Sequence, residues 1–389
     1  LCFASTAQKI IRTDVLVIGG STSGTAAAIQ SARMGVLTTL VEAGPWLGGM
    51  MSSAGVSAID GNHKMPSGIW NEFREAIYKV YGGASKVATG WVSNTHFEPH
   101  VADSIFKSIV ASIPNLKVIY NTEFAAVIKT GRAVKGAKFR SNDGELIVHA
   151  TQTIDATELG DVLAAAGAKF DVGLEASNIS GENVGIEKSA NIIQDLTYVA
   201  ILKDYGKDAD KTIPKPANYD PAEFDGSCTN FYHNKARKAP NVDAQKMLDY
   251  GKLPNGKYML NWPAYGNDYY VNMIGMSAAQ KAKAIQQAKE QTYRFIYFIQ
   301  TELGFKHIGI ADDEFPTTDH LALMPYHRES RRVKGLVRFN IKHLSDPYSY
   351  NLYRTGIAVG DYPIDHHHRK NETAPTHKNL YPGPFLNFP

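Results

Sequence analysis

The first regular pattern in the chain is a short apolar run, Asp14 to Ile18 (DVLVI), broken by Gly19 and Gly20. From Thr22 to Met34 the residues suit a helix, and Gly35 is placed as its C-terminal stop. A second apolar run, LTTLV, ends at Glu42. Strand, glycine turn, helix and strand within about thirty residues make a βαβ unit, which implies a parallel sheet.

The stretch Gly44 to Gly55 is too rich in glycine and serine for a regular element and reads as a loop. Ser67 is placed to cap a helix in which Ile69, Phe73, Ile77 and Val80 share one face. Helical spacing continues from Pro99 to Ile113, with proline near the start. LKVIYNTEFAAVIK then supplies strands, and a hairpin is expected around Asn142-Asp143-Gly144. Residues Val172 to Tyr270 are polar and weakly periodic, and read as an insertion with long loops. The clearest helix follows: Ser277 and Gln280 form a capping box, Ile285, Ala288, Phe295, Ile299 and Leu303 form a stripe, and Gly304 ends it. No internal repeat appears.

Composition narrows the function classes. The 389 residues suffice for two cores, and 43% hydrophobic with 20% charged residues is ordinary for a globular chain. A formal charge of +3, without a basic stripe, leaves no footprint for nucleic acid. Two cysteines, Cys2 and Cys228, build neither a disulfide framework nor a thiolate metal site. The opening LCFASTAQK resembles the tail of a secretory signal cut after Ala7, so export is expected. No apolar run is long enough for a transmembrane helix.

The glycine turn carries the first chemistry. The first amides of a helix lack intrahelical acceptors, and the helix dipole adds positive charge there, so a pyrophosphate fits. In the pattern G-x-G-x-x-G the positions are Gly19, Ser21 and Gly24. Ser21 replaces the glycine that lets phosphate approach, and its hydroxyl can supply a hydrogen bond. Glu42, 23 residues after Gly19, stands where a carboxylate accepts hydrogen bonds from a ribose diol.

These blocks, VIGGSTSGTAAAIQSARMG and LVEAGPWLGGMMSSAGVS, are followed by HFEPHVADSIF, IDATELGDVLAAAGAKFDVG, MPYHRESRRVKG and GIAVGDYPIDHHH. Together they resemble the FAD-dependent oxidoreductase family of the glutathione-reductase-like flavoprotein superfamily, in its bacterial form. The resemblance runs from Asp14 to His368 and is weak between Asn178 and Asn272. It implies FAD as cofactor, with the pyrophosphate on the turn Gly19, Gly20, Ser21, Thr22, Ser23 and Gly24. Glu42 and Ala43 would take the adenosine ribose, and Gly48, Gly49, Ser52 and Ser53 would border the flavin. Phe124 would offer backbone to the adenine. Ala156, Thr157, Gly160 and Asp161 would pass beside the phosphate and adenosine side. The family closes its flavin site with a C-terminal glycine-rich segment, which this sequence, ending at Pro389, does not show.

The expected fold class is α/β: a Rossmann-like FAD-binding βαβ parallel sheet with a β-meander, plus an inserted α+β substrate or cap domain. The expected division is 1–12 signal-like tail, 13–171 FAD-binding domain, 172–339 cap and 340–389 return segment. Catalytic candidates are Arg328 and Arg331 as an anion-binding fork, His327 and Tyr326 as proton carriers beside them, and Tyr362 and His366 as residues placed near the flavin. The three histidines of DYPIDHHH cannot all point one way, and no metal site is expected. The aromatic stretch Asn261 to Tyr270 suits either packing or stacking on a sugar. No redox dithiol, Walker lysine or nucleophile elbow is present.

The expected function is hydride transfer between a small polar, carbohydrate-like substrate and FAD. Two other readings are an exported binding protein that kept the fold without FAD, and an NAD-dependent dehydrogenase. The Gly48-Gly49 loop and the Asp155 block argue against the second. Oligomeric state is not readable.

Overall fold

A computed structural model describes residues 9–61, 63–182, 188–351 and His367. The signal-like residues 1–8, Tyr362 and His366 lie outside the described residues.

The central sheet has six strands in the order β3-β2-β1-β6-β5-β4. These are β1 (Lys9–Ile18), β2 (Thr38–Val41), β3 (Leu116–Ile119), β4 (Glu123–Thr130), β5 (Ala133–Ser141) and β6 (Gly144–Asp155). β1 pairs in parallel with both β2 and β6, and β2 in parallel with β3, whereas β4, β5 and β6 form an antiparallel meander. β1 starts before the apolar run. Lys9 to Arg12 pair with Leu146 to His149, so residues 9–12 belong to the sheet and not to a tail. They carry no hydrophobic alternation to announce this; the pairing is supplied by β6, more than 130 residues away.

Alternation along β1 serves both faces. Val17 packs with α1 (Thr22–Arg33), α2 (Gly68–Tyr81) and α3 (Pro99–Ala111) through Ala28, Ile29, Phe73 and Phe106. Leu16 and Ile18 face the other way, against Phe139, Val148 and Val162. Val162 comes from α4 (Asp161–Ala166), which follows β6.

The remaining elements are β7 (Phe170–Asp171), α5 (Ser177–Ser180), β8 (Leu196–Thr197), β9 (Ala200–Asp204), α6 (Ala244–Asp249), β10 (Lys257–Leu260), β11 (Asp268–Tyr269), α7 (Ala278–Thr301), β12 (Ile308–Ile310), β13 (Arg332–Val333) and α8 (Ile341–Ser345). The region expected to be loops thus supplies β9 and β10, which with β12 from beyond α7 form a three-stranded antiparallel sheet, β10-β9-β12. Val199 to Leu202 are fully buried. An uninterrupted apolar run of this kind is the mark of a strand covered on both faces, where each side chain contributes about 1.5–3 kcal/mol. α7 covers this sheet with Ala288, Phe295, Phe298 and Ile299, and its capping box is present as expected. Trp46, Val56 and Leu159 from the N-terminal part join the same core, so the cap is sealed by the domain it covers.

Candidate functional site

The site grows from the turn after β1. Gly19 has φ +102°, and a Cβ there would stand 2.4 Å from the Ala156 carbonyl oxygen. The turn can therefore lie directly against the end of β6 only without a side chain. Gly24, in the first turn of α1, would place a Cβ 2.0 Å from the Gly19 oxygen. Ser21 is the N-cap of α1, and its hydroxyl accepts from the Gly24 amide at 3.1 Å. That role was readable in the sequence as a serine just before a helix. The amides of Thr22 and Ser23 find no acceptor among the described residues.

The second glycine loop is stitched onto this turn. The Gly48 amide donates to the Gly20 carbonyl at 2.8 Å, and the Thr22 hydroxyl donates to the Gly48 carbonyl at 2.7 Å. Gly48 has φ +103° and Gly49 φ +51°, and a Cβ on Gly49 would meet the Ser21 Cα at 2.7 Å. Ser52 is buried and donates to the Leu47 carbonyl, so it shapes the loop. The Ser53 carbonyl accepts from Leu323 and ties the loop to the cap.

Glu42 follows β2. Its carboxylate accepts from the Gly20 amide at 2.5 Å and the Gly44 amide at 2.7 Å. Burial raises its pKa, opposed by these amides. A carboxylate has about four acceptor positions, so others remain for a hydroxyl pair. At the end of β6, Asp155 accepts from the Thr157 amide and hydroxyl and from the Leu163 amide, while the Thr157 hydroxyl accepts from the Asp161 amide at 2.8 Å. This knot fixes the start of α4.

A cavity of about 550 Å³ opens between these parts and the start of α7. Gly19, Ser21, Glu42 and Ala43 line it from the βαβ unit. Gly49, Ser53 and Phe124 line it from the loop and meander, and Ala156, Thr157 and Asp161 from the block after β6. Gly20, Gly24, Gly48, Ser52 and Gly160 stand behind the wall as backbone supports. Thr22 and Ser23 face an adjoining cavity of about 760 Å³, walled by Met50, Met51, Ile59, Trp70, Phe73 and Phe106. Ser21 and Glu158 border both cavities.

Sequence reasoning missed Glu158, the wall given by the start of α7 with Met276, Lys281 and Ile285, and Met324 from the segment after β12. No spacing links these to the glycine turn. Glu158 has no hydrogen-bond partner among the described residues, and burial, with a smaller push from Glu42, raises its pKa to about 7. Because the folded-state value lies above the ordinary 4.5, the stability linked to this proton is present below that value and lost as pH rises through about 7. Glu158→Gln is therefore expected to stabilise the FAD-free protein by about 2 kcal/mol at pH 8 and to have little effect at pH 4. Urea melts at the two pH values check this; an equal effect at both would sink it.

The segment RESRR divides. Arg328 lines a third cavity, and its guanidinium donates to Asp195, Asn261 and Asp268. Arg331 clamps α4, donating to the Leu159 carbonyl and to Asp161, both at 2.7 Å. The two guanidinium groups do not form one fork. His327 is half-buried, and desolvation lowers its pKa to about 4; it lines none of the three cavities. Glu98, His100 and Glu314 bring ligand-type atoms within 4.8 Å of one another. The Lys257 ammonium already sits there, 2.8 Å from each glutamate.

A family model described as FAD dependent oxidoreductase matches residues 14–386. The chain belongs to that family. Its cofactor is FAD. A search of curated proteins finds no match. Among solved structures, the p-nitrophenol 4-monooxygenase of Pseudomonas putida is 12% identical, with 85% of this chain and 70% of that chain covered and a TM-score of 0.37. A geranylgeranyl bacteriochlorophyll reductase-like protein of Thermoplasma acidophilum is 20% identical, with coverages of 51% and 49% and a TM-score of 0.32. The L-proline dehydrogenase of P. horikoshii is 18% identical; the match covers 39% of this chain and 24% of that one, with a TM-score of 0.25. These scores are low, and family membership rests on the sequence match.

The residues present fit the FAD of this family. The missing Cβ atoms of Gly19 and Gly49 leave bare backbone beside a helix N-terminus with open amides. Glu42 supplies the carboxylate at the strand end, and an apolar cavity adjoins.

Proposed function

We propose that the chain holds FAD across the two larger cavities and uses it to oxidise a small polar, carbohydrate-like substrate. The observation that carries this reading is the 550 Å³ cavity, whose wall joins all four separated blocks: turn, strand end, second loop and the segment after β6. The amides of Thr22 and Ser23 and the Ser21 hydroxyl would receive the pyrophosphate, aided by the α1 dipole. Glu42 would hold the ribose diol, and Phe124 would border the adenine. Met50, Met51, Trp70 and Phe106 would cover the ring system and exclude water from it. Bound there, FAD would supply the two-electron acceptor that no side chain of this protein offers. Lys281, 3.7 Å from Asp161, brings a cation to the same wall.

The test is an absorbance spectrum of the longest natural form, with and without added FAD. A bound flavin band that survives gel filtration is expected. Complete loss of flavin after reconstitution would favour a protein that keeps the fold without the cofactor.

A further inference from the structure

Four carboxylates line the 550 Å³ cavity, and three of them are accounted for. Glu42 accepts from the Gly20 and Gly44 amides, Asp161 accepts from Arg331, and Glu123 is exposed at the start of β4. Glu158, the fourth, is half-buried and makes no hydrogen bond or ion pair among the described residues. It also borders the 760 Å³ apolar cavity, so it stands where the two spaces meet. Its backbone is pinned on both sides. The Thr157 amide and hydroxyl donate to Asp155, and the Leu159 carbonyl accepts from Arg331 at 2.7 Å. The side chain is turned toward the glycine turn: a Cβ added to Gly49 would lie 3.0 Å from Glu158 Oε1 and 2.7 Å from the Ser21 Cα. The carboxyl group therefore stands beside the N-cap of α1, at the same opening as the amides of Thr22 and Ser23.

That opening suits an anion, and an ionised Glu158 would oppose one. The α1 dipole and the open amides favour negative charge, whereas like charges at close range repel. Glu42 has amide donors that stabilise its charge, and Glu158 has none. Lys281, the cation on this wall, is 3.7 Å from Asp161. Burial, with the Glu42 charge adding to it, disfavours the Glu158 carboxylate and raises its pKa to about 7. At neutral pH the group is thus divided between acid and carboxylate. The two forms offer different things to a phosphate oxygen, which only accepts. The carboxylate presents another acceptor, and the acid presents an O–H donor. The other titratable groups around it are Glu42, Glu123, Asp161 and Lys281 on the glycine-turn side, and Asp60 and Tyr326 on the apolar side.

We propose that Glu158 holds the FAD pyrophosphate as a neutral carboxylic acid, donating its O–H to a phosphate oxygen, so that cofactor uptake draws a proton from solvent. The proposal rests on the FAD placement given above. No covalent bond of the cofactor changes. The proton comes from water or buffer, stays on Glu158 while FAD is bound and returns to solvent when FAD leaves. The pyrophosphate keeps its negative charges and the flavin ring keeps its N3 proton between pH 6 and pH 8, so neither titrates in place of Glu158. An anion beside the carboxyl group favours its neutral form further, and the FAD-bound state therefore holds more protons than the free state. Affinity is then full below about pH 7 and falls as pH rises above it. A side chain that only filled space between the two cavities would take up no proton and give no pH dependence.

The experiment titrates the purified full chain, freed of flavin, with FAD in a calorimeter at pH 6 and pH 8. Affinity is expected to be about tenfold weaker at pH 8. At pH 8 the titration is repeated in HEPES and in Tris, which differ in ionisation enthalpy, and the difference is expected to report uptake of about 0.8 proton per FAD. ADP-ribose carries the same pyrophosphate without a flavin and is expected to show the same uptake. Glu158→Gln keeps a donor that does not titrate, so it is expected to bind FAD equally well at both pH values with no proton taken up. Glu158→Ala removes the donor and is expected to bind about tenfold more weakly than Glu158→Gln at either pH. Equal wild-type affinity at the two pH values, proton uptake that persists in Glu158→Gln, or equal affinities of the two variants overturns the proposal and leaves the cofactor reading standing. Uptake with FAD but not with ADP-ribose places the contact on the flavin and overturns it as well. A chain that binds FAD at neither pH refutes the cofactor reading and this proposal together.

Discussion

Gly24→Ala is expected to abolish FAD retention, with affinity falling at least a hundredfold and the melting temperature dropping by about 5–10 °C. Two effects of opposite sign meet at this position. Alanine is the better helix former by about 1 kcal/mol. The added Cβ, however, would lie 2.0 Å from the Gly19 carbonyl oxygen and 2.7 Å from the Ala156 Cβ. The first is backbone and cannot rotate away. Relief requires α1 to move off β1, with a cost of about 3 kcal/mol, which exceeds the helix gain. The same movement carries the open amides of Thr22 and Ser23 away from the cavity. Ser23→Ala, at an exposed position of the same turn, leaves the packing intact and serves as the control. Retention of FAD by Gly24→Ala at wild-type affinity would refute the close-packing argument.

Lys257→Met is expected to cost about 3–5 kcal/mol of stability at pH 8. Lys257 is 2% exposed, between Glu98 at 5% and Glu314 at 4%. Its ammonium lies 2.8 Å from each of them and 3.1 Å from Asp313. Burial works against its charge, but the hydrogen bonds to Glu314 and Glu98 outweigh that and hold its pKa above the usual lysine range. Glu98 also accepts from the Tyr81 hydroxyl and from Asn255, and Glu314 from the His100 amide. Methionine fills similar space and leaves two buried carboxylates with His100 as their one counter-charge among the described residues. Burial opposes the ionisation of Glu314, but the His100 and Lys257 contacts lower its pKa, so the carboxylate depends on those cations. The penalty should therefore shrink at pH 5, where protonation relieves the repulsion. Urea melts at both pH values measure it. A loss below about 1 kcal/mol at pH 8 would mean that the network is not what ties α3 to β10.

Much of the cradle was legible from short-range spacing. Gly19, Gly24, Glu42 and Gly49 were found because a tight turn, a close helix and a strand-end carboxylate leave marks within a few residues. Ser21 was read as a phosphate contact, and its capping bond to Gly24 adds a structural duty to the same hydroxyl. The polar look of Val172 to Tyr270 hid the run Leu196 to Leu202, because buried strands in that region are short and separated by long polar connections. Arg328 and Arg331 look equivalent in RESRR. Their partners come from distant strands and helices, and these send one to a cavity wall and the other to the start of α4.

Backbone restriction and hydrophobic period act over a few residues, so the chain order alone sufficed for the βαβ unit, the meander, the capping box of α7 and the family resemblance. Burial and electrostatics act through space. Only the folded arrangement could therefore set the raised pKa of Glu158, bring Lys281 to the cofactor wall and direct the donors of Arg328 to Asp195, Asn261 and Asp268. It likewise joined Asp268 to His367, which is 99 residues away. A side chain's chemistry follows from its type; whether that chemistry is open to a ligand depends on which protein groups have already engaged it.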